Sequence, residues 1–228
     1  HIGFHPDCWA CRVAKSSTRR LQKAIAYIET RPGHTWVLDY ISLSCRSDEG
    51  SKYIAVFRCV ATLWFLPLYV DLKSSFTASL KACVLKHRAL PAFQYKEYQF
   101  MVNIITDFDG SWSSENVDFA AVIEELGITI QYSSPDRHIT KIKQENAVRV
   151  VEMAMKVIMI THGLPLSWWQ KAADSAITVR NLWPTQRSIK SKAGDGASPL
   201  ELITGGRTGR SEVQAPAIRS SIEPETQS

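Results

Sequence analysis

The chain has 228 residues, 45% of them hydrophobic, with a formal net charge of +5 and a pI near 9.0. That suffices for one sizeable core, and a charge excess this mild would suit many cytosolic enzymes. No apolar run approaches the roughly 20 residues that cross a bilayer, because Lys156 and His162 interrupt the longest candidate, so no membrane partner is expected. No signal-peptide pattern opens the chain, which begins on His1 rather than Met and reads as a fragment or as a gene-model product whose upstream part is missing. The cysteines number 5, an odd count, and three of them (Cys45, Cys59, Cys83) are scattered through strand-like or helical segments. That argues for a reducing compartment, nuclear or cytoplasmic, over a disulfide scaffold.

Residues 1–34 open on a Cys-x-x-Cys pair, Cys8 and Cys11, and continue as a basic connector. Arg12, Lys15, Arg19, Arg20, Lys23 and Arg31 face a single acid, Glu29, an excess that attracts phosphate backbones and equally suits a solvated linker. Three strand patterns follow at 35–43, 52–60 and 62–70, with Asp48, Glu49 and Gly50 marking the first turn, and their close spacing predicts an antiparallel meander. Phe76, Leu80, Val84 and Leu85 recur at helical spacing and predict a crossover helix over 75–90, ended by Pro91.

After a loop over 91–100, MVNIITD predicts a fourth strand, and Ser113 or Ser114 would cap a helix that Gly127 stops. GITIQYSS predicts a fifth strand. A long helix fits 141–162, ended by Gly163, and another runs from Pro165 to about Leu182, closed by Pro184. Beyond 186 the chain turns Ser-, Gly- and Pro-rich, and 207–228 reads as disordered. The order is that of an α/β mixed sheet with helices on its faces.

Asp39 and Asp107 stand where the first and fourth strands emerge, and Glu145 lies in the long helix. Converging carboxylates are what a divalent-metal phosphoryl-transfer site needs, since Mg²⁺ takes a few hard oxygen ligands and leaves room for water and phosphate. Read alone, Asp39 is equally a solvent-facing acid at a strand end and Glu145 a surface helix position. Glu152, two helical turns past Glu145 and about 10 Å along the axis, is the rival third acid. Asp109 is a rival to Asp107, although its place beside Gly110 suits a turn. Trp168 and Trp169 read as packing between the last two helices, and Arg180 as structural.

Five segments recur together in one known family: HPDCWACRVAK (5–15), TDFDGSW (106–112), Pro135 followed ten residues later by Glu145, GLPLSWWQKAADSAITVRNLWPT (163–185) and ASPLELITGG (197–206). In this order they resemble the copia-type retrotransposon integrase, whose catalytic core is the retroviral-like, ribonuclease-H-like fold. The resemblance implies a partial zinc-knuckle-like segment and basic linker over 1–34 and a catalytic core with a mixed five-stranded sheet flanked by helices over 35–186. An extended, largely disordered tail would follow over 187–228.

The resemblance also implies a polynucleotidyl transferase in which Asp39, Asp107 and Glu145 hold Mg²⁺ or Mn²⁺ for 3′-end processing of element DNA and its strand transfer into target DNA. Lys141, Lys143 and Arg149 would follow the DNA backbone, although a solvated helix face explains them equally well; Cys8 and Cys11 would be half of a Zn²⁺ site, the alternative being a free pair; and the protein would act as a homo-oligomer. The chain departs from the family at Thr140, Lys141 and Ile142, which replace Gln-Asn-Gly, at Asn146 for Arg, and at Phe108, Asp109 and Ser111 in the second motif. These departures keep open a decayed or domesticated nucleic-acid-binding module of the same fold. A ribonuclease-H-type nuclease acting on hybrids is a third reading.

Overall fold

The computed structural model describes residues 31–93, 99–107, 116–132, 138–184 and 196–204, except for the side chains of residues 92 and 138–145. Its sheet has five strands, β1 (Thr35–Ser42), β2 (Tyr53–Cys59), β3 (Phe65–Val70), β4 (Asn103–Thr106) and β5 (Thr129–Tyr132), in the order β3-β2-β1-β4-β5. The β1-β2 and β2-β3 pairs are antiparallel, and the β1-β4 and β4-β5 pairs are parallel. A crossover makes the change of direction possible. α1 (Phe76–Ala89) leaves the far edge at β3 and returns the chain so that β4 lies beside β1 in the same sense.

Strand alternation sends side chains to two cores. On one face Trp36, Leu38 and Phe57 pack with Phe76, Leu80 and Val84 of α1 and with Phe119 and Ile123 of α2 (Val117–Glu125). On the other, Val37, Ile41, Ile54, Val56 and Ile105 meet Ala147, Val151 and Met155 of α3 (His138–His162). The same face packs Trp169, Ala172, Ala173 and Ile177 of α4 (Trp169–Leu182). Burial of each large side chain contributes about 2 kcal/mol.

Several boundaries move, each for a local reason. The third strand begins at Phe65 rather than 62 because Leu63 takes a left-handed φ of 63° and closes a turn on the Cys59 carbonyl. α2 is capped by Asn116, whose side chain accepts the Phe119 N–H at 3.2 Å; Ser113 and Ser114 lie outside the described residues. α3 begins at His138, earlier than 141, and ends where Gly163 (φ 58°) lets Leu164 donate back to the Met159 carbonyl.

Among the described residues a fifth helix, α5 (Pro199–Thr204), falls in the stretch expected to be an extended tail. Ser198 and Glu201 form a reciprocal cap, with the Ser198 N–H donating to Oε2 at 2.7 Å and the Glu201 N–H donating to the serine Oγ at 3.2 Å. Pro199 suits the first helical position, and Ile203 is fully buried against Trp36 and its neighbours. The core therefore reaches past 186. Residues 1–30, with Cys8, Cys11 and all of the basic linker's cations but Arg31, and residues 205–228 lie outside the described residues.

Candidate active site at the parallel strand pair

The β1-β4 ladder pairs Thr35 with Asn103, Trp36 with Ile104 and Val37 with Ile105. Carrying that register two residues on sets Asp39 abreast of Asp107, which follows the last residue of β4. Both positions share the parity of Val37 and Ile105, whose side chains lie in the core covered by α3 and α4. Asp39 is half-buried in the middle of β1, opposite Val56 of β2, and its Oδ1 accepts the N–H of Tyr40 at 2.8 Å. Asp107 is exposed.

Glu145 belongs to α3, two residues before Ala147, which is buried against this same face. Its side chain, with those of Lys141 and Lys143, is outside the described set, as are Phe108, Asp109 and Ser111. Arg149 is described and is half-buried on α3. Glu152 is half-buried too and lies 4.0 Å from Lys156. Among the described residues, no group of three or more His, Cys, Asp or Glu side chains could hold a metal ion. The described pair is nonetheless of the right chemistry: two carboxylates at adjacent positions supply the hard oxygens that Mg²⁺ takes.

The supports of this face come from residues that the sequence motifs did not single out. Ser47 donates to the Gln170 amide oxygen at 2.8 Å, and the Gln170 amide nitrogen donates to Glu49 at 2.6 Å. Lys171 pairs with Asp48, and that hydrogen bond holds its ammonium above the usual lysine range. Tyr69 donates to Asp174 at 2.5 Å; burial, reinforced by this carboxylate, pushes its phenol well above the usual value. The N-terminal half of α4 is thereby tied to the β1-β2 hairpin and to β3. Trp169 is buried and donates to the Cys45 carbonyl at 3.1 Å. Trp168, expected in the core as well, is 42% exposed, because it precedes α4 and faces outward with the Lys171 ammonium 4.8 Å from its ring centroid. On the other face Arg88 donates to the carbonyls of Phe100, Met101 and Leu126, fastening the end of α1 to the approach to β4.

No protein-family model matches the chain, and no curated protein matches it. Solved structures do. A chain of the simian T-cell lymphotropic virus intasome in complex with PP2A regulatory subunit B56 gamma is similar, with a TM-score of 0.58 and 14% identity over 88% of this chain and 64% of that one. The fold is ribonuclease-H-like. Two lower-scoring similarities are to integrases. The BIV integrase catalytic core domain has a TM-score of 0.49 and 14% identity, over 76% of this chain and 95% of that one. The HTLV-2 integrase catalytic core domain in complex with magnesium has a TM-score of 0.48 and 11% identity, over 75% and 96%. At 14% identity the likeness to the intasome chain is one of fold alone. The chain spans 64% of the length of the intasome chain. Among the described residues no helix is long and apolar enough to cross a membrane.

Proposed function

We propose that the chain is the integrase core of a copia-type retrotransposon, trimming the 3′ ends of element DNA and joining them to target DNA with Mg²⁺ or Mn²⁺. The observation that carries this reading is the parallel register of β1 and β4, which sets positions 39 and 107 abreast on the face that α3 covers. The copia assignment rests on the five sequence segments and the gap-free spacing from Pro135 to Pro165.

In this reading Asp39 and Asp107 would hold the cations and Glu145 would complete the site. Divalent cations held there would supply an activated water or 3′-hydroxyl and would offset the charge that builds on the attacked phosphate. The protein's own contribution is placement. Asp39 is set on a central strand paired on both sides, and its Oδ1 is fixed by the Tyr40 N–H. Lys141, Lys143 and Arg149 share α3 with Glu145 and would meet backbone phosphates. A homo-oligomer is part of the proposal.

Motif departures at Phe108, Asp109, Ser111 and Thr140–Ile142 favour a second reading, a nucleic-acid-binding module of the same fold that has lost turnover. The test uses the full chain with Mg²⁺ or Mn²⁺ on oligonucleotides that mimic element ends, beside Asp107→Asn. The first reading expects end-trimmed and joined products from the parent protein alone. Equal product from both proteins would discard the metal-site assignment, and salt-dependent binding without product would select the second reading. Cleavage of RNA–DNA hybrids without joining would point to a nuclease instead.

A further inference from the structure

An arginine that braces a fold does so by giving its N–H groups to acceptors, as Arg88 does with the carbonyls of Phe100, Met101 and Leu126. Arg180, in the last turn of α4, is half-buried as well. Among the described residues it meets no hydrogen-bond acceptor, carboxylate or aromatic ring. Burial is the one influence on its charge, and it holds the guanidinium below the usual arginine range. A cation drawn partly out of water with nothing to offset it destabilises the fold, so the structural part expected of Arg180 has no bond to express it.

The place of Arg180 is set by its neighbour. Asn181 holds the Phe65 N–H and carbonyl at 2.8 Å each, which fixes the last turn of α4 beside β3. Phe65 is opposite Arg58 and Arg58 opposite Val37, so one row of the sheet leads from this point to β1, two residues short of Asp39. Phe65 and Val37 lie in the core under α3 and α4, the face whose parity Asp39 and Asp107 share. Arg180 therefore stands in the helix layer over the carboxylate face, away from the Asp39–Asp107 edge itself, and its neighbouring helix is α3 with Arg149. β3 is about 10 Å from β1 at ~4.8 Å per strand, a length of about three base steps along a nucleic-acid strand. Val179, Leu182 and Trp183 around Arg180 are exposed, so nothing described covers this turn. A net charge of +5 favours a polyanion there over a second copy of the chain.

We propose that Arg180 is an anion site of this protein and takes a backbone phosphate of DNA lying across α3 and α4. The choice of ligand rests on the integrase reading, and the contact is additional to the carboxylates and to the basic residues of α3. A guanidinium fork matches two phosphate oxygens and carries no sequence information, which suits a strand held by position rather than by base identity. The competing account is an aliphatic stem laid over apolar surface with its head in water.

Fluorescence anisotropy of a labelled DNA duplex with the full chain, over a salt titration without divalent metal, separates the two through Arg180→Met and Arg180→Lys. Methionine keeps an unbranched apolar stem and removes the charge. Arg180→Met should bind roughly fivefold to tenfold more weakly near ~0.1 M salt and lower the slope of log K against log salt by about one, while Arg180→Lys keeps the parent slope. Without DNA, Arg180→Met should melt at or above the parent temperature by circular dichroism, since it loses no bond. Arg180→Gln takes its place in the titration if the methionine variant is unfolded. A parent protein with no salt-dependent binding overturns the integrase reading and this inference together. A binding parent whose slope survives loss of the Arg180 charge overturns this inference alone. In that case a smaller sedimentation coefficient for Arg180→Met would assign the arginine to contact between copies, and an unchanged one to the apolar stem.

Discussion

Replacing Asn181 by leucine keeps the side-chain volume nearly constant while removing an amide that spans the outer edge of β3. Its Nδ2 donates to the Phe65 carbonyl at 2.8 Å and its Oδ1 accepts the Phe65 N–H at 2.8 Å. Phe65 is 5% exposed and Asn181 9%, so water reaches neither group easily once the amide is gone. An unpaired buried donor and an unpaired buried acceptor cost about 1–3 kcal/mol each, leaving about 3 kcal/mol after the leucine's own burial is subtracted. For a chain of this size that lowers the melting temperature by roughly 6–12 °C.

Asn181→Asp separates the two bonds. An aspartate can still accept from the Phe65 N–H, but as an anion it faces the Phe65 carbonyl with no proton to give. Burial and that carbonyl together raise its folded pKa above the unfolded value of about 3.9. Between the two values the folded state binds the extra proton, so the variant is most stable below about pH 4 and loses stability as pH rises through the folded pKa. Asn181→Leu has no such limb. Thermal melts followed by circular dichroism between about pH 4 and 8 distinguish them, and variants that both melt with the parent at every pH would refute the bridging role.

Ile203→Ala should cost about 3 kcal/mol, because a fully buried side chain leaves a cavity; the same change at exposed Leu182 should move the melting temperature little. Tyr69 is protonated in the folded state at pH values where an unfolded tyrosine ionises, so its contribution is complete below about pH 10 and is lost above it. Tyr69→Phe should therefore flatten the alkaline limb of a stability-versus-pH curve. On the proposed chemistry Glu145→Gln abolishes metal-dependent joining, whereas Glu152→Gln retains it, a contrast read in the same oligonucleotide assay.

The five strands and four of the helices were legible because each carries apolar residues at a period that fits its own geometry, and Gly127 and Gly163 mark helix ends where left-handed backbone is needed. What escaped was either very short or very long in range. A six-residue helix at Pro199–Thr204 is too brief to show periodicity, and its Ser-x-x-Glu cap is the local signal that marks it in a stretch whose composition suggests a tail. The ties of α4 join residues more than a hundred positions apart, such as Ser47 with Gln170 and Phe65 with Asn181, and nothing local encodes them. Asn181 nevertheless stood inside a recognised motif, NLWPT, without its role being visible there.

The acids illustrate the same division. The apolar runs TWVL and VNIIT suggest strand ends for both; Asp107 does follow β4, whereas β1 runs on through Ser42 and leaves Asp39 in mid-strand. Had β4 run antiparallel to β1, its carboxyl end would have met the amino end of β1 near Thr35, four residues from Asp39 and about 13 Å away at 3.3 Å per residue. It is the crossover through α1, long enough to carry the chain back over one face, that makes the pair parallel and brings position 107 beside 39. Topology therefore converts a mid-strand aspartate and one just past a strand end into neighbours, and a substitution that disturbs the β1-β4 register should matter to the site more than one that disturbs either strand's outer partner.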